Sequence, residues 1–179
     1  MKDTIDSNTG NVESVSSDTL SSPQGIGMAV AFDWGLAVQM LATPFLPLAL
    51  GKSFSPASLA ALPAAVLLGV FGEGVRRGWR WTRYVQLTFN SLGFIGGLAS
   101  LVSVWNGVKQ GNYWPAVTAV ILVIFSPLIA WGMSRPRTKQ WFESTDSTKA
   151  KRHGGTWPFL ISIWAIIGGI LQALAVLQR

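Results

Sequence analysis

Apolar residues run through this chain in long blocks, without the strict alternation of a half-buried strand. After a polar stretch of about 25 residues the blocks cover roughly 26–50, 57–75, 84–105, 114–133 and 157–178. Each is close to or above the about 20 residues with which a helix crosses a ~30 Å hydrocarbon core. The pattern predicts an all-α, polytopic integral membrane protein: a bundle of about five transmembrane helices forming one membrane domain over 26–179. Residues 1–25, rich in Ser, Thr, Asn and Asp with nothing apolar repeating, read as a disordered acidic N-terminal tail. They fit neither a secretory signal nor a transit peptide, because no apolar core follows a basic start and acids are present.

Prolines and small residues refine the blocks. Pro44 and Pro47 predict a kink or early end of the first span, and Ser55-Pro56 offers an N-cap with proline at the first helical position of the second. Ala61, Ala65 and Gly69 recur every four residues along that second span, a ridge that lets another helix approach. In the third span Gln86, Asn90, Gly93, Gly97 and Ser100 fall on one helix face, and Ala165, Gly169 and Gln172, with Ser162, form a similar stripe on the fifth. Amides and small residues avoid lipid, so both faces are expected to contact helices, with hydrogen bonds of about 0.6 kcal/mol each. The fourth span opens on Trp114-Pro115 and contains Pro127, and its stretch 117–125 is the best candidate for a lipid-facing wall. Both it and the fifth start with Trp-Pro, and Ile-Gly-Gly occurs at 95–97 and 167–169; two short coincidences do not establish an internal repeat.

Charge sets the expected orientation. Only 12% of the residues are charged, about half the fraction a water-exposed surface carries. The net charge of +6 would suggest nucleic acid in a soluble domain, but the basic residues flank apolar spans. The tail and the basic loops 76–83 and 134–156 hold eleven of the fourteen Lys and Arg, against Lys52, Lys109 and Arg179 elsewhere. That asymmetry predicts an N-in, C-out topology. Eight of the nine tryptophans, all but Trp164, lie in loops or toward span ends, as an aromatic belt would place them. A four-span arrangement, in which the first block lies on the surface or re-enters because of Asp33 and its prolines, is the competing topology.

Candidate chemistry is sparse. With no cysteine and a single histidine, His153, thiolate catalysis, iron–sulfur clusters, Cys-ligated zinc and bis-histidine haem ligation are excluded within the chain. Asp33 and Glu73 are the acids in or near spans, and an intramembrane carboxylate is by default a functional hypothesis. Glu73 stands three and four residues before Arg76 and Arg77, within ion-pair reach, and Asp33 is expected to reach the same arginines across the bundle. On that reading all four are structural. Arg80, Arg83, Arg135, Arg137, Lys139 and Trp141 are candidates for contact with lipid headgroups. No metal site and no cofactor site is marked; lipid is an allowed ligand, and pigment or quinone contacts are compatible with the spans but signalled by no residue.

These observations predict a non-enzymatic accessory, assembly or stabilising subunit that packs against a larger membrane complex, photosynthetic or respiratory, through its small-residue and amide faces. The alternative is a small oligomeric transporter or channel using Asp33, Glu73 and the Gln86/Asn90 stripe. A membrane-embedded lipid enzyme has the least support, because no acid–base pair is present. The expected partners are membrane lipids and other membrane subunits or further copies of the chain, without nucleic acid, in a bacterial inner membrane or a thylakoid membrane.

Overall fold

A computed structural model describes residues 23, 25–144 and 157–177. The polar tail and the segment carrying Lys149, Lys151, Arg152 and His153 lie outside them. Every regular element among the described residues is helical. Four helices are long and apolar enough to cross a membrane: Pro56–Arg77, Arg80–Lys109, Trp114–Ser134 and Phe159–Leu177, joined by a shorter apolar helix, Ile26–Ala42. Large apolar side chains such as Leu67, Leu92, Ile95 and Val102 point outward, while Gln86, Asn90, Asp33 and Ser126 are fully buried. This inside-out distribution suits a protein whose surroundings are hydrocarbon.

The first block is broken by its prolines. Helix α1 spans Ile26–Ala42, and the backbone N–H and side-chain hydroxyl of Thr43 both donate to the Gln39 carbonyl, at 2.9 and 2.8 Å. Pro44 brings no N–H to continue the ladder. A separate short helix, α2, covers Leu46–Ala49. A 3-10 turn at Pro56–Ala60 leads into α3, Ala61–Arg77.

The stretch 76–83 is not a loop, in contrast to the reading from charge. Arg76 and Arg77 belong to the last turn of α3, and α4 (Arg80–Lys109) begins at Arg80, so only Gly78 and Trp79 connect them. Gly78 sits at φ 75°, which glycine adopts without steric penalty. The N–H of Gly78 then donates to Val75 and that of Trp79 to Gly74, closing the helix end within two residues.

The fourth span is three segments in one rod: α5 (Trp114–Val120), a widened π-helical turn (Ile121–Phe125) and α6 (Ser126–Ser134). Pro127 supplies no N–H to the preceding turn, and a π-turn is one way to accommodate such an interruption. The stretch 117–125 is not a plain lipid wall: Ala119 is buried, and Leu122 and Val123 pack on Gly97 of α4. The segment expected as the basic loop 134–156 instead carries a surface helix, α7 (Pro136–Ser144), whose Thr138, Trp141 and Phe142 face inward. The last helix, α8, spans Trp157–Leu177.

Helix α1 lies between α3 and α8 and also touches α6, while α4 packs along α5, the π-turn and α6. Ile26, Ala29, Val30 and Asp33, at spacings of three and four, form the buried face of α1. The apolar core gathers at the arginine-rich end, where Ile26, Ala29 and Val30 meet Val75, Ile129, Met133, Trp141 and Phe142. Glycines set the close approaches. A Cβ added at Gly169 would stand 2.5 Å from the Gly35 carbonyl and 2.7 Å from Val38 Cβ, and one at Gly97 would stand 2.8 Å from Leu122 Cβ. At Gly69, by contrast, a Cβ would meet nothing, so the ridge Ala61/Ala65/Gly69 is buried only at Ala65.

The pair Gly168 and Gly169 tests this packing. Gly169→Ala should destabilise the protein by about 1–3 kcal/mol, since backbone must move to admit the methyl group. Gly168→Ala, into open space, should be neutral or stabilising by up to about 1 kcal/mol. Thermal unfolding of both variants in detergent checks the contrast.

Candidate functional site

Asp33 lies two helical turns into α1 from the arginine-rich end, about 10 Å along the axis from Ile26. It is fully buried. Gly72 of α3 makes its wall: a Cβ there would come within 3.1 Å of Asp33 Cβ and 2.7 Å of the Trp34 ring. From α4, the Gln86 side-chain amide reaches across and donates to Asp33 Oδ1 at 3.2 Å. One turn on, the Asn90 side-chain amide donates to the Gln86 backbone carbonyl at 2.9 Å. A further turn on stands Gly93, where a Cβ would be 3.0 Å from Ser126 Oγ of α6. Asp33, Gln86, Asn90 and Ser126 thus meet along one face of α4.

This row has acceptors in excess. Asp33 Oδ2, Gln86 Oε1, Asn90 Oδ1 and Ser126 Oγ are buried without a hydrogen-bond partner among the described residues. All are oxygens. Desolvating such groups without partners costs roughly 1–3 kcal/mol each, and more for a charged carboxylate, so a row of them calls for something to occupy it.

The arginines do not supply the missing charge. The expectation that Asp33 pairs with Arg76 or Arg77 is corrected: among the described residues no Lys or Arg forms an ion pair with it. Both arginines are engaged by Glu73, whose carboxylate accepts from Arg76 Nε and Nη2 at 2.6 and 2.5 Å and from Arg77 Nε at 2.7 Å. Their spacings of three and four residues make this cluster local to one helix end, and it is partly exposed. Glu73 and Asp33 therefore differ in kind: one is neutralised by two guanidinium groups, the other by none.

The remaining basic candidates divide. Arg83, expected at the headgroups, is instead buried, and its Nε donates to the Met133 carbonyl at 3.0 Å, tying α4 to the end of α6. Trp141, placed in the same group, is also buried, against Phe142 at a ring separation of 4.9 Å. Their positions follow from α7 folding back onto the core instead of trailing as loop. Arg80 is exposed yet donates to the Glu143 carbonyl at 2.6 Å. Arg135 stacks its guanidinium 3.7 Å from the Trp131 ring centroid, Lys139 faces Glu143 at 3.9 Å, and Arg137 is exposed.

On α8, Ala165 and Gly169 are buried against α1, and Gln172 Oε1 accepts from Thr118 of α5 at 3.3 Å. Ser100 turns back to its own helix, donating to the Gly97 carbonyl. Beside Gln172 an apolar cleft of about 350 Å³ opens between α1, the π-turn and α8, lined by residues such as Phe32, Gly35, Phe125, Trp164 and Gly168. Among the described residues no three His, Cys, Asp or Glu side chains gather as a metal cluster.

Sequence reasoning missed Ser126, Gly72 and Trp34. Ser126 had a signal, being the one hydroxyl between Ile121 and Pro127. Trp34 was counted with the interfacial belt but stands at the middle of α1 against Gly72.

Gln86→Leu should lower stability by about 1–3 kcal/mol, because it removes the only side-chain donor to Asp33 among the described residues and leaves the carboxyl bare. The double variant Asp33→Leu/Gln86→Leu should recover part of that loss, since neither polar group then remains buried alone. A double-mutant cycle by thermal unfolding reads the coupling. Comparison with protein families, with curated proteins and with solved structures finds no match to this chain.

Proposed function

We propose that the chain is a small transporter or channel, five-spanning and N-in, C-out, in a bacterial inner membrane or a thylakoid membrane. Asp33 with Gln86 and Asn90 is its working centre, and Glu73 is structural. The observation that carries this reading is the fully buried Asp33, with no cationic partner among the described residues, beside three further oxygens without a partner among them. A carboxylate at that depth is stable only when its charge is neutralised, by a proton or by a cation. A group that must be neutralised by something mobile suits ion translocation or ion coupling. Glu73, held by Arg76 and Arg77, has no such need.

The accessory-subunit reading has a narrower base. The stripes from which it was drawn are largely spent inside the chain, Gly97 on Leu122 and Gly169 on Gly35 and Val38. What favours it is the set Gly69, Gly96 and Gly168, where an added Cβ meets nothing. These small positions admit a neighbouring helix, from another subunit or a second copy.

Reconstitution into proteoliposomes separates the roles of the two acids. Asp33→Asn should reduce ion or proton flux to the background of empty vesicles, while Glu73→Gln should retain most of it. Equal loss in both, or no flux in the wild type, moves the weight to the subunit reading. That reading predicts stoichiometric co-purification with a larger complex in mild detergent, read by native mass analysis.

The topology has its own test, helped by the absence of native cysteine. In intact cells, Lys139→Cys should be labelled by a membrane-impermeant maleimide only after permeabilisation. Gln110→Cys, in the turn between α4 and α5, should be labelled without it.

A further inference from the structure

We infer that the row formed by Asp33, Gln86, Asn90 and Ser126 is a binding site for a dehydrated monovalent metal cation, seated at the Asp33/Gln86 end. The inference rests on the transport reading of the same centre and names what occupies it.

The argument starts from the type of atom left unpaired. Asp33 Oδ2, Gln86 Oε1, Asn90 Oδ1 and Ser126 Oγ are oxygens, and no buried side-chain nitrogen among the described residues lacks a partner. The carboxylate repels an anion, whereas a hard cation finds the carboxylate, carbonyl and hydroxyl oxygens it prefers.

Charge then selects the valence. One carboxylate stands in the row, and the nearby guanidinium groups are engaged elsewhere: Arg76 and Arg77 by Glu73, Arg80 by the Glu143 carbonyl and Arg83 by the Met133 carbonyl. A single positive charge brings the centre to neutrality, whereas a divalent ion would leave an excess charge in low dielectric. A proton would also neutralise Asp33, and as a carboxyl O–H it would satisfy one further acceptor, such as the Gln86 amide oxygen, but it leaves the other oxygens of the row unmatched. An ion with several oxygen ligands relieves more of the excess.

The row has direction as well. Gln86, Asn90 and Gly93, the last facing Ser126, follow one another along α4 over about 10 Å. Asn90 therefore borders the primary position, and Ser126 extends the acceptor path past it, away from the arginine-rich end. Trp34 packs on the same Gly72 that walls Asp33, so it is placed to report occupancy.

The test uses the full chain purified in a buffer whose only cation is choline. Adding sodium chloride or potassium chloride should raise the melting temperature saturably, on the order of 5 °C when the ion is far above its dissociation constant. Tryptophan emission should change over the same concentration range. Choline chloride at equal ionic strength should do neither, and Asp33→Asn should abolish both responses. Asn90→Leu, which keeps the carboxylate, should weaken the apparent affinity at least several-fold. An identical response of the wild type to sodium, potassium and choline overturns the site, whether or not the variants fold. Saturable binding without flux in proteoliposomes keeps the site and overturns the transport reading. Flux driven by a pH gradient with no response to either metal ion does the reverse.

Discussion

A carboxylate can stand inside a membrane bundle only if lipid never reaches it, and much of this structure follows from enclosing Asp33. Helix α1 lies between α3 and α8 and also touches α6. Its Asp33 face is walled by α3 through Gly72 and reached from α4 by the Gln86 amide. On the other flank of α1 the Gly35 carbonyl lies where a Cβ at Gly169 of α8 would have to go, so the glycine requirement there falls on Gly169. Helices brought this near gain dispersion contacts that hydrocarbon-facing surfaces do not offer, which is how association proceeds without a hydrophobic driving force.

The arginine-rich end performs a mechanical task that its charge alone would not suggest. Arg83 and Arg80 donate to main-chain carbonyls of α6 and α7, and Thr138 donates to the Gly132 carbonyl at 2.9 Å. Carbonyls at a helix end have no partners within the helix, and guanidinium groups from a neighbouring helix satisfy them while fixing where that helix stops. Basic residues that would set orientation in the membrane thus also fasten α4 to α6 and α7. Among the described basic residues of this end, Arg80, Arg135, Arg137 and Lys139 are exposed, Arg80 while bonded to α7.

The apolar blocks were legible as helices because length and composition suffice for that inference. So was the face carrying Gln86, Asn90 and Gly97, since a 3.6-residue period places those positions together whatever packs on them. The partner of Asp33 was not legible. Residues 33 and 86 lie on different helices, and nothing local distinguishes an arginine that crosses the bundle from an amide that does. Likewise the charges of 76–83 gave no hint of a two-residue turn; the glycine at 78 did, but a basic run reads more readily as a loop. Arg83 and Trp141 look interfacial in one dimension, and only the return of α7 onto the core buries them.

The first helix finds its flank on the last. Gly35 and Val38 of α1 meet Gly169 of α8, so one side of α1 stays uncovered until the ribosome has made α8. The acid-bearing side is closed sooner, as α3 and α4 arrive. During synthesis α1 therefore waits in the bilayer with its glycine side facing lipid or an insertion factor, and final closure of the bundle is necessarily a late, long-range step. A closure of this sort couples α1 to α8: loss of α8 is felt first at α1.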